Sequence, residues 1–495
     1  MLIGGTSWQT ASQMIPLVLN LALTPWVIHG LGPERYSVYL LAMALIAVMG
    51  NFDGGIGQSA LRFFTLYAGR DDREKTTRLL VTAAVGVGVL AFAAVVLTLL
   101  LTPTLLDYFK VSEGLRVEAT TLLFIMVPVI GMVQVRNLFS SVVYARQRFR
   151  LMSIAIIVAY FVYIVGLVLT VVFGWGLVGI AWTLVAQQVA NTALSLPVGV
   201  SYLTRKGMGF VSKAEALEYL GYAWKIQITG LTTMITAQKD QLFAGRLLSA
   251  QESGPYGQGT NFSSNLKYLP HNAIGPIQAL IGHRVGEAGA ESAVGLVERI
   301  QRFWVRATTG WCAVGAPATY FGVRAWLPDS YADAATVATI LLLGHLFWLI
   351  SIVLVVWTKT IGHPEIEMRA VVIGLVANLA MSFALAPVFG MTGVVVATAL
   401  SNAVVMGVVS WGARRSIDVR PRWFMREVPW ISGIVAALVC LASEWLLSPY
   451  FMDGAVGLLM AAATALPAVL VFAFSAFSRE ERKAAIGSVR SRLRR

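Results

Sequence analysis

Two neighbouring apolar stretches hold ionisable groups that a hydrocarbon environment disfavours. Lys225, Lys239 and Asp240 fall in the first, and Lys267 and His271 in the second. Such groups at membrane depth face a bundle interior or a water-filled cavity. Lys225, Thr229, Thr232, Thr236 and Lys239 recur at intervals of four and three, which puts them on one helical face. Asn261, Ser264, Asn265, Tyr268, His271 and Asn272 form a second polar face. Lys267 lies off that strict stripe but stacks with Ser263 and His271 one turn away on either side. A third stripe, with Thr6, Gln9, Gln13, Asn20 and Thr24, opens the chain. Hydroxyls and amides both donate and accept hydrogen bonds, and lysines present point charge. These faces predict the wall of an internal aqueous cavity. For Lys267 the competing structural reading is a buried ion pair with Asp240.

The elements that position these faces are membrane spans. The chain has 495 residues, 57% hydrophobic and 13% charged, with a mean hydropathy of +0.71. A soluble chain would carry about twice that charge. Apolar runs of about 20 residues recur end to end, each long enough to cross a bilayer. About fourteen are expected, centred near residues 18, 46, 90, 130, 162, 190, 233, 268, 315, 346, 378, 402, 438 and 466. The first runs from about Thr6 to His29, and the second from Tyr36 to about Gly57. The first lacks a basic flank and a cleavage pattern, so no removable signal is expected.

The net charge of +13 is patterned across the connections. Lys and Arg concentrate near 62–78, 146–150, 205–213, 284–302, 359–369, 414–426 and 479–495. The alternate connections hold only Arg35, Lys110, Arg116, Arg246 and Arg324. This alternation predicts both termini in the cytoplasm and argues against nucleic acid as the partner of the basic charge. The basic tail suits anionic lipid.

Residues 144–179 align without gaps on 358–393, each entering a second helix through Gly-x-x-Gly: Gly176 and Gly179, then Gly390 and Gly393. The shift of six helices preserves orientation, so a parallel repeat is expected. The predicted fold is an all-α polytopic membrane protein. An N-terminal lobe occupies 1–207, a C-terminal lobe 208–415, two further helices 416–478, and a basic tail 479–495.

Other polar residues read more plainly. Asp53 is expected to cap its helix or pair with Arg62, and Arg136 and Arg306 to snorkel to the cytoplasmic boundary. His345 reads as a satisfied interior histidine, and nothing is assigned to Glu444. Cys312 and Cys440 lie in apolar runs, which argues against disulfides and thiolate metal sites. The histidines are scattered, no acid/base pair or metal-ligand cluster emerges, and the connections are short. No enzyme is therefore expected, and no metal or cofactor.

Several motifs together resemble a known family. They are Leu31-Gly32-Pro33-Glu34-Arg35-Tyr36-Ser37-Val38-Tyr39, Asp53-Gly54-Gly55-Ile56-Gly57, Asp240 with Gly245-Arg246-Leu247-Leu248, Gly254-Pro255-Tyr256, Gly362, and Asn378. In this order they resemble the oligosaccharide flippases of the polysaccharide-biosynthesis type. Those belong to the superfamily that also holds drug/cation antiporters and lipid II flippases. The family commonly has Gly where Ser37 stands. Its lipid II members carry cationic residues in the first helix, which has no arginine here. One large antiporter group has a carboxylate there, which is also missing. The resemblance implies transport of a lipid-linked (polyprenyl-diphosphate) oligosaccharide from the inner to the outer leaflet of a bacterial inner membrane. Membrane lipids, and the polysaccharide polymerase and glycosyltransferases of the same pathway, would be its partners. A coupling ion, H+ or Na+, is left open. The alternative is an ion-coupled small-molecule antiporter of the same superfamily, with Asp240 as its carboxylate.

Overall fold

The computed structural model describes residues 54–478 apart from 109–112, 248–249, 328, 420 and 423, together with Glu481 and scattered positions between Trp8 and Tyr39. The side chains of 237–254 lie outside the described set, as does Asn20. Every regular element among the described residues is helical. Among the described residues, eight helices are long and apolar enough to cross a membrane. The expected centres from 90 onward all fall on described helices, whereas residues 18 and 46 lie outside the described set.

Contacts divide the chain into two compact units. The first holds Met1–Leu231, Gly275–Ala293 and Thr360–Pro364, and the second holds Thr232–Ile274, Val294–Lys359 and Glu365–Arg495. The grouping follows contacts, not the sequence repeat.

In the first unit the second expected span does not pass straight into a connection. Gly54 and Gly55 take left-handed φ values of 68° and 70°, and a separate helix α1 follows at Ile56–Gly69. A glycine adopts this conformation without the Cβ strain an L-residue meets. A Cβ at Gly55 would also overlap the carbonyl of Ala223. Helix α1 buries Ala60, Phe63, Phe64 and Ala68 in a core with Tyr219, Tyr222 and Ile226. The Tyr219 hydroxyl donates to the Ile56 carbonyl at 2.5 Å. Asp72 then accepts the Lys75 N–H at 2.9 Å, an N-cap for α2, Arg73–Tyr108.

Helices α3 (Arg116–Ala145), α4 (Phe149–Val172) and α5 (Gly176–Val200) complete the first bundle. Helix α6, Lys213–Leu247, contributes its first half, and α8, Ile274–Trp326, contributes its start. That start lies against α1 through small residues. A Cβ at Gly286 would overlap the Leu66 carbonyl, and one at Gly282 would overlap the Thr65 hydroxyl. Membrane helices approach this closely only where small residues bring main chains together. Gly289, with φ 80° and ψ 169°, interrupts α8.

Arg62 is also settled in this unit. It is buried, lies over the rings of Phe63 and Tyr222 at 4.7 and 4.8 Å, and donates from Nε to the Thr360 carbonyl at 3.0 Å. Asp53, its expected partner, lies outside the described residues.

The second unit holds the rest of α6, α7 (Ala250–His271), the remainder of α8, α9 (Asp333–Thr360, through Lys359) and α10 (Glu365–Ser416). Tyr256 of α7 is buried with Val337, Leu341 and Met391. Gly390 breaks α10 with φ 56°. Gly176, its mate in the sequence repeat, has φ 57°. Polar groups tie the helix pair on either side of each break. Thr170 and Thr183 hydroxyls meet at 3.3 Å in one, and Asn378 Nδ2 donates to Thr398 and Ser401 at 3.0 and 3.2 Å in the other. Helices α11 (Trp430–Leu447), α12 (Ala455–Thr464) and α13 (Leu466–Ala476) close the chain.

One sequence expectation changes here, and one residue left unassigned gains a partner. Glu444 is fully buried in α11 and accepts the Thr464 hydroxyl at 3.0 Å. Arg306 does not snorkel freely, because it pairs with Glu481 at 3.1 Å and Glu427 at 3.7 Å.

Candidate functional site

A cavity of about 380 Å³ lies wholly within the first unit. Its walls come from six helices and the start of the chain. Helix α1 supplies Gln58, held by the glycine turn at its N-terminus. Helix α3 supplies Arg136, Asn137, Ser140, Ser141 and Tyr144, which recur on one helical face. Asn191 of α5, Gln227 of α6 and Gln9 complete the polar lining, while Phe149, Met152 and Ile156 of α4 supply an apolar side. Gly275 lies close to Gln9, whose amide a Cβ there would approach at 3.4 Å.

Among the described lining residues the cation is Arg136. Its Nη1 donates to Gln188 Oε1 at 2.8 Å and its Nη2 to Asn137 Oδ1 at 3.1 Å. Snorkelling to the boundary, the sequence expectation, is therefore corrected: the guanidinium is half-buried and turned into a polar enclosure by amides of two helices. Those two bonds leave the rest of its planar fork for a ligand, the geometry that suits phosphate. The Gln9 Oε1 is buried with no hydrogen-bond partner among the described residues, an acceptor for a hydroxyl.

The residues singled out in sequence divide between the units. Gln9 lines the cavity. Gln13 is exposed and Lys225 half-buried, both in the first unit. Thr229 and Thr236 donate their hydroxyls back to the carbonyls of Lys225 and Thr232 at 2.9 and 2.8 Å. Those hydroxyls keep acceptor capacity but have engaged their protons. Asn20 and the side chains of Lys239 and Asp240 lie outside the described residues.

In the second unit Lys267 and His271 do come together. The Lys267 ammonium lies 5.3 Å from the Tyr268 ring centroid and 5.5 Å from that of Trp348. His271 stacks on Trp348 at 5.1 Å and meets Tyr268 edge-on at 5.8 Å. Attraction to the ring faces stabilises a cation at such a position. Trp348, on α9, was not foreseen as part of this cluster. Asn261 and Asn265 are exposed on α7. No group of acidic, histidine and cysteine side chains able to hold a metal occurs among the described residues.

Comparison with known proteins agrees with this architecture. The family profile described as "Polysaccharide biosynthesis protein" matches residues 2–274. A Shigella flexneri protein assigned as an O-antigen transporter is 24% identical over 154 residues, 31% of this chain and 36% of that relative's length. Similar solved structures include a MATE transporter of Vibrio cholerae, with a TM-score of 0.71 and 16% identity over 84% of this chain and 96% of that one. A MATE crystal structure in the bent conformation matches with a TM-score of 0.67 and 14% identity over 90% of this chain and 95% of that one. At such identities the structural likeness speaks for the fold. Helices fit to span a membrane, with a polar enclosure among them, and the family match describe a multi-pass integral membrane protein. The chain belongs to the polysaccharide biosynthesis protein family, and its fold is similar to that of the MATE transporters.

Proposed function

We propose that the protein moves a lipid-linked oligosaccharide, carried on a polyprenyl diphosphate, from the inner to the outer leaflet of the bacterial cytoplasmic membrane for surface-polysaccharide assembly. The observation that carries this reading is Arg136, a guanidinium enclosed among amides and hydroxyls of the first unit. A diphosphate sugar cannot cross hydrocarbon unaided, and such an enclosure replaces its water with donors and acceptors. Lys267, His271, Lys225, Lys239, Asp240, Asn261, Asn265, Gln9, Gln13 and Asn20 are proposed as further contacts along the path. Alternating access of lobes 1–207 and 208–415, with both termini cytoplasmic, would carry the head group across.

Native mass spectrometry of the purified full chain with its co-purifying lipids tests the reading. A bound polyprenyl-diphosphate sugar is the expected result. A chain that carries only bulk phospholipid, and that exports small cations when reconstituted, would replace this reading with the antiporter one.

A further inference from the structure

A second recess, of about 500 Å³, lies in the first unit beside the polar cavity. It is lined by Arg146, Gln147, Arg148, Phe149, Pro276, Leu280 and His283. The three-residue turn between α3 and α4 builds one side. Gln147 holds a left-handed φ of 59°, a conformation that L side chains rarely adopt. The turn is fixed by Gln147 N–H to the Tyr144 carbonyl at 2.8 Å and Arg148 N–H to the Val143 carbonyl at 3.2 Å. It sets both arginines on the rim of one recess. The first turns of α8 supply the other side, so cations face an apolar floor.

The cations are only partly engaged. Asp71 accepts from Arg146 Nη1 at 2.6 Å, and this bond holds the Asp71 carboxyl below the ordinary carboxylate range. Arg146 Nη2 is buried with no hydrogen-bond partner among the described residues. Arg148 is exposed and makes no ion pair with the described residues. Phe149 lines both the recess and the Arg136 cavity, and its ring stacks on Tyr144 at 5.4 Å. Two stacked rings therefore stand where the two spaces adjoin.

We infer that this recess binds the phosphate of a membrane lipid, with the lipid's chain against Phe149, Pro276 and Leu280. Arginine forks pair with phosphate oxygens, and an apolar floor beside them distinguishes an amphipathic ligand from a free anion. The lipid phosphate could belong to an anionic phospholipid or to an isoprenoid diphosphate. In the second case the recess would hold cargo next to the cavity, and only that arm rests on the proposed function.

Native mass spectrometry of the delipidated full chain tests the inference. Phosphatidylglycerol, farnesyl diphosphate and inorganic phosphate serve as separate probes. Arg148→Gln should weaken lipid binding about fivefold, the equivalent of about 1 kcal/mol per surface cation. Adding His283→Gln should weaken it further. Leu280→Trp, which fills the recess and leaves its charge alone, should block lipid while sparing inorganic phosphate. Arg205→Gln, outside the recess, should have no effect. Selective loss of phosphatidylglycerol assigns the site to bulk phospholipid, and selective loss of farnesyl diphosphate assigns it to cargo. Unchanged lipid binding in Arg148→Gln and Leu280→Trp overturns the inference. So does an effect of Arg205→Gln equal to that of Arg148→Gln, or loss of inorganic phosphate alone. A phosphatidylglycerol site that persists in a protein without oligosaccharide transport would sink the proposed function and leave this site standing.

Discussion

Replacing Arg136 is the most direct probe of the polar cavity. Arg136→Gln removes the charge and keeps a side chain able to bond Gln188, whose Oε1 now accepts from Nη1 at 2.8 Å. Gln188 is half-buried, so water can also serve it, and the structural cost should stay below about 1 kcal/mol. The ligand loses more. A hydrogen bond to a charged group contributes about 1.5–3 kcal/mol, so affinity for a diphosphate head group should fall about 10- to 150-fold. Arg136→Lys keeps the charge without the fork and should fall between the two. Gln188→Ala frees the guanidinium instead of removing it, and should leave affinity within a few-fold of wild type. Binding is measured by native mass spectrometry, and translocation in proteoliposomes with a fluorescent polyprenyl-diphosphate sugar. An abundant Arg136→Gln protein that binds and translocates at wild-type rates would refute the assignment. Equal losses of thermal stability in Arg136→Gln and Gln188→Ala, with affinity unchanged, would show that Arg136 only braces α3 against α5.

The contact of α1 with the start of α8 makes a separate prediction. Gly286→Ala would drive a Cβ into the Leu66 carbonyl, which cannot move aside, and should cost about 1–3 kcal/mol, read as a lowered Tm in detergent. Gly282→Ala meets the Thr65 side chain and should be partly rescued by Thr65→Ala, whereas Gly286→Ala should resist that rescue. Lys267→Ala should fold and insert while lipid-linked oligosaccharide builds up in the inner leaflet, and Lys267→Arg should keep part of the transport. Normal surface-polysaccharide output from a well-expressed Lys267→Ala strain would remove Lys267 from the path.

Much of the fold is readable one helix at a time. Apolar runs locate the helices because each must satisfy its backbone internally and present apolar side chains outward. The repeat foretells that Gly176 and Gly390 share a local role, and both take a positive φ, 57° and 56°. The site is less legible. Arg136 looks like a boundary arginine because its partner Gln188 is 52 residues away on another helix. Helix α3 does carry a polar stripe, Arg136 to Tyr144, but the remaining polar groups of the cavity come singly from several elements, and a stripe search weighs one element at a time. Helix α1 is hidden for a related reason. Its sequence, Ile-Gly-Gln-Ser-Ala-Leu-Arg-Phe-Phe, follows an apolar span without an acidic start or a proline, so only the paired glycines at 54 and 55 mark the break. Trp348 joins Lys267 and His271 from a helix whose run is otherwise apolar, so its sequence context gives no sign of the contact.

The main-chain contact of Gly286 with the Leu66 carbonyl has a thermal consequence. Apolar surface withdrawn from water leaves a heat-capacity signature, and the attraction it provides weakens on cooling. Glycine against carbonyl oxygen withdraws very little such surface, so dispersion holds this contact, with a nearly temperature-independent enthalpy. The first unit should therefore keep α1 seated on α8 near freezing and across a change from lipid to detergent. Cold, which loosens an oily core, finds little there to act on.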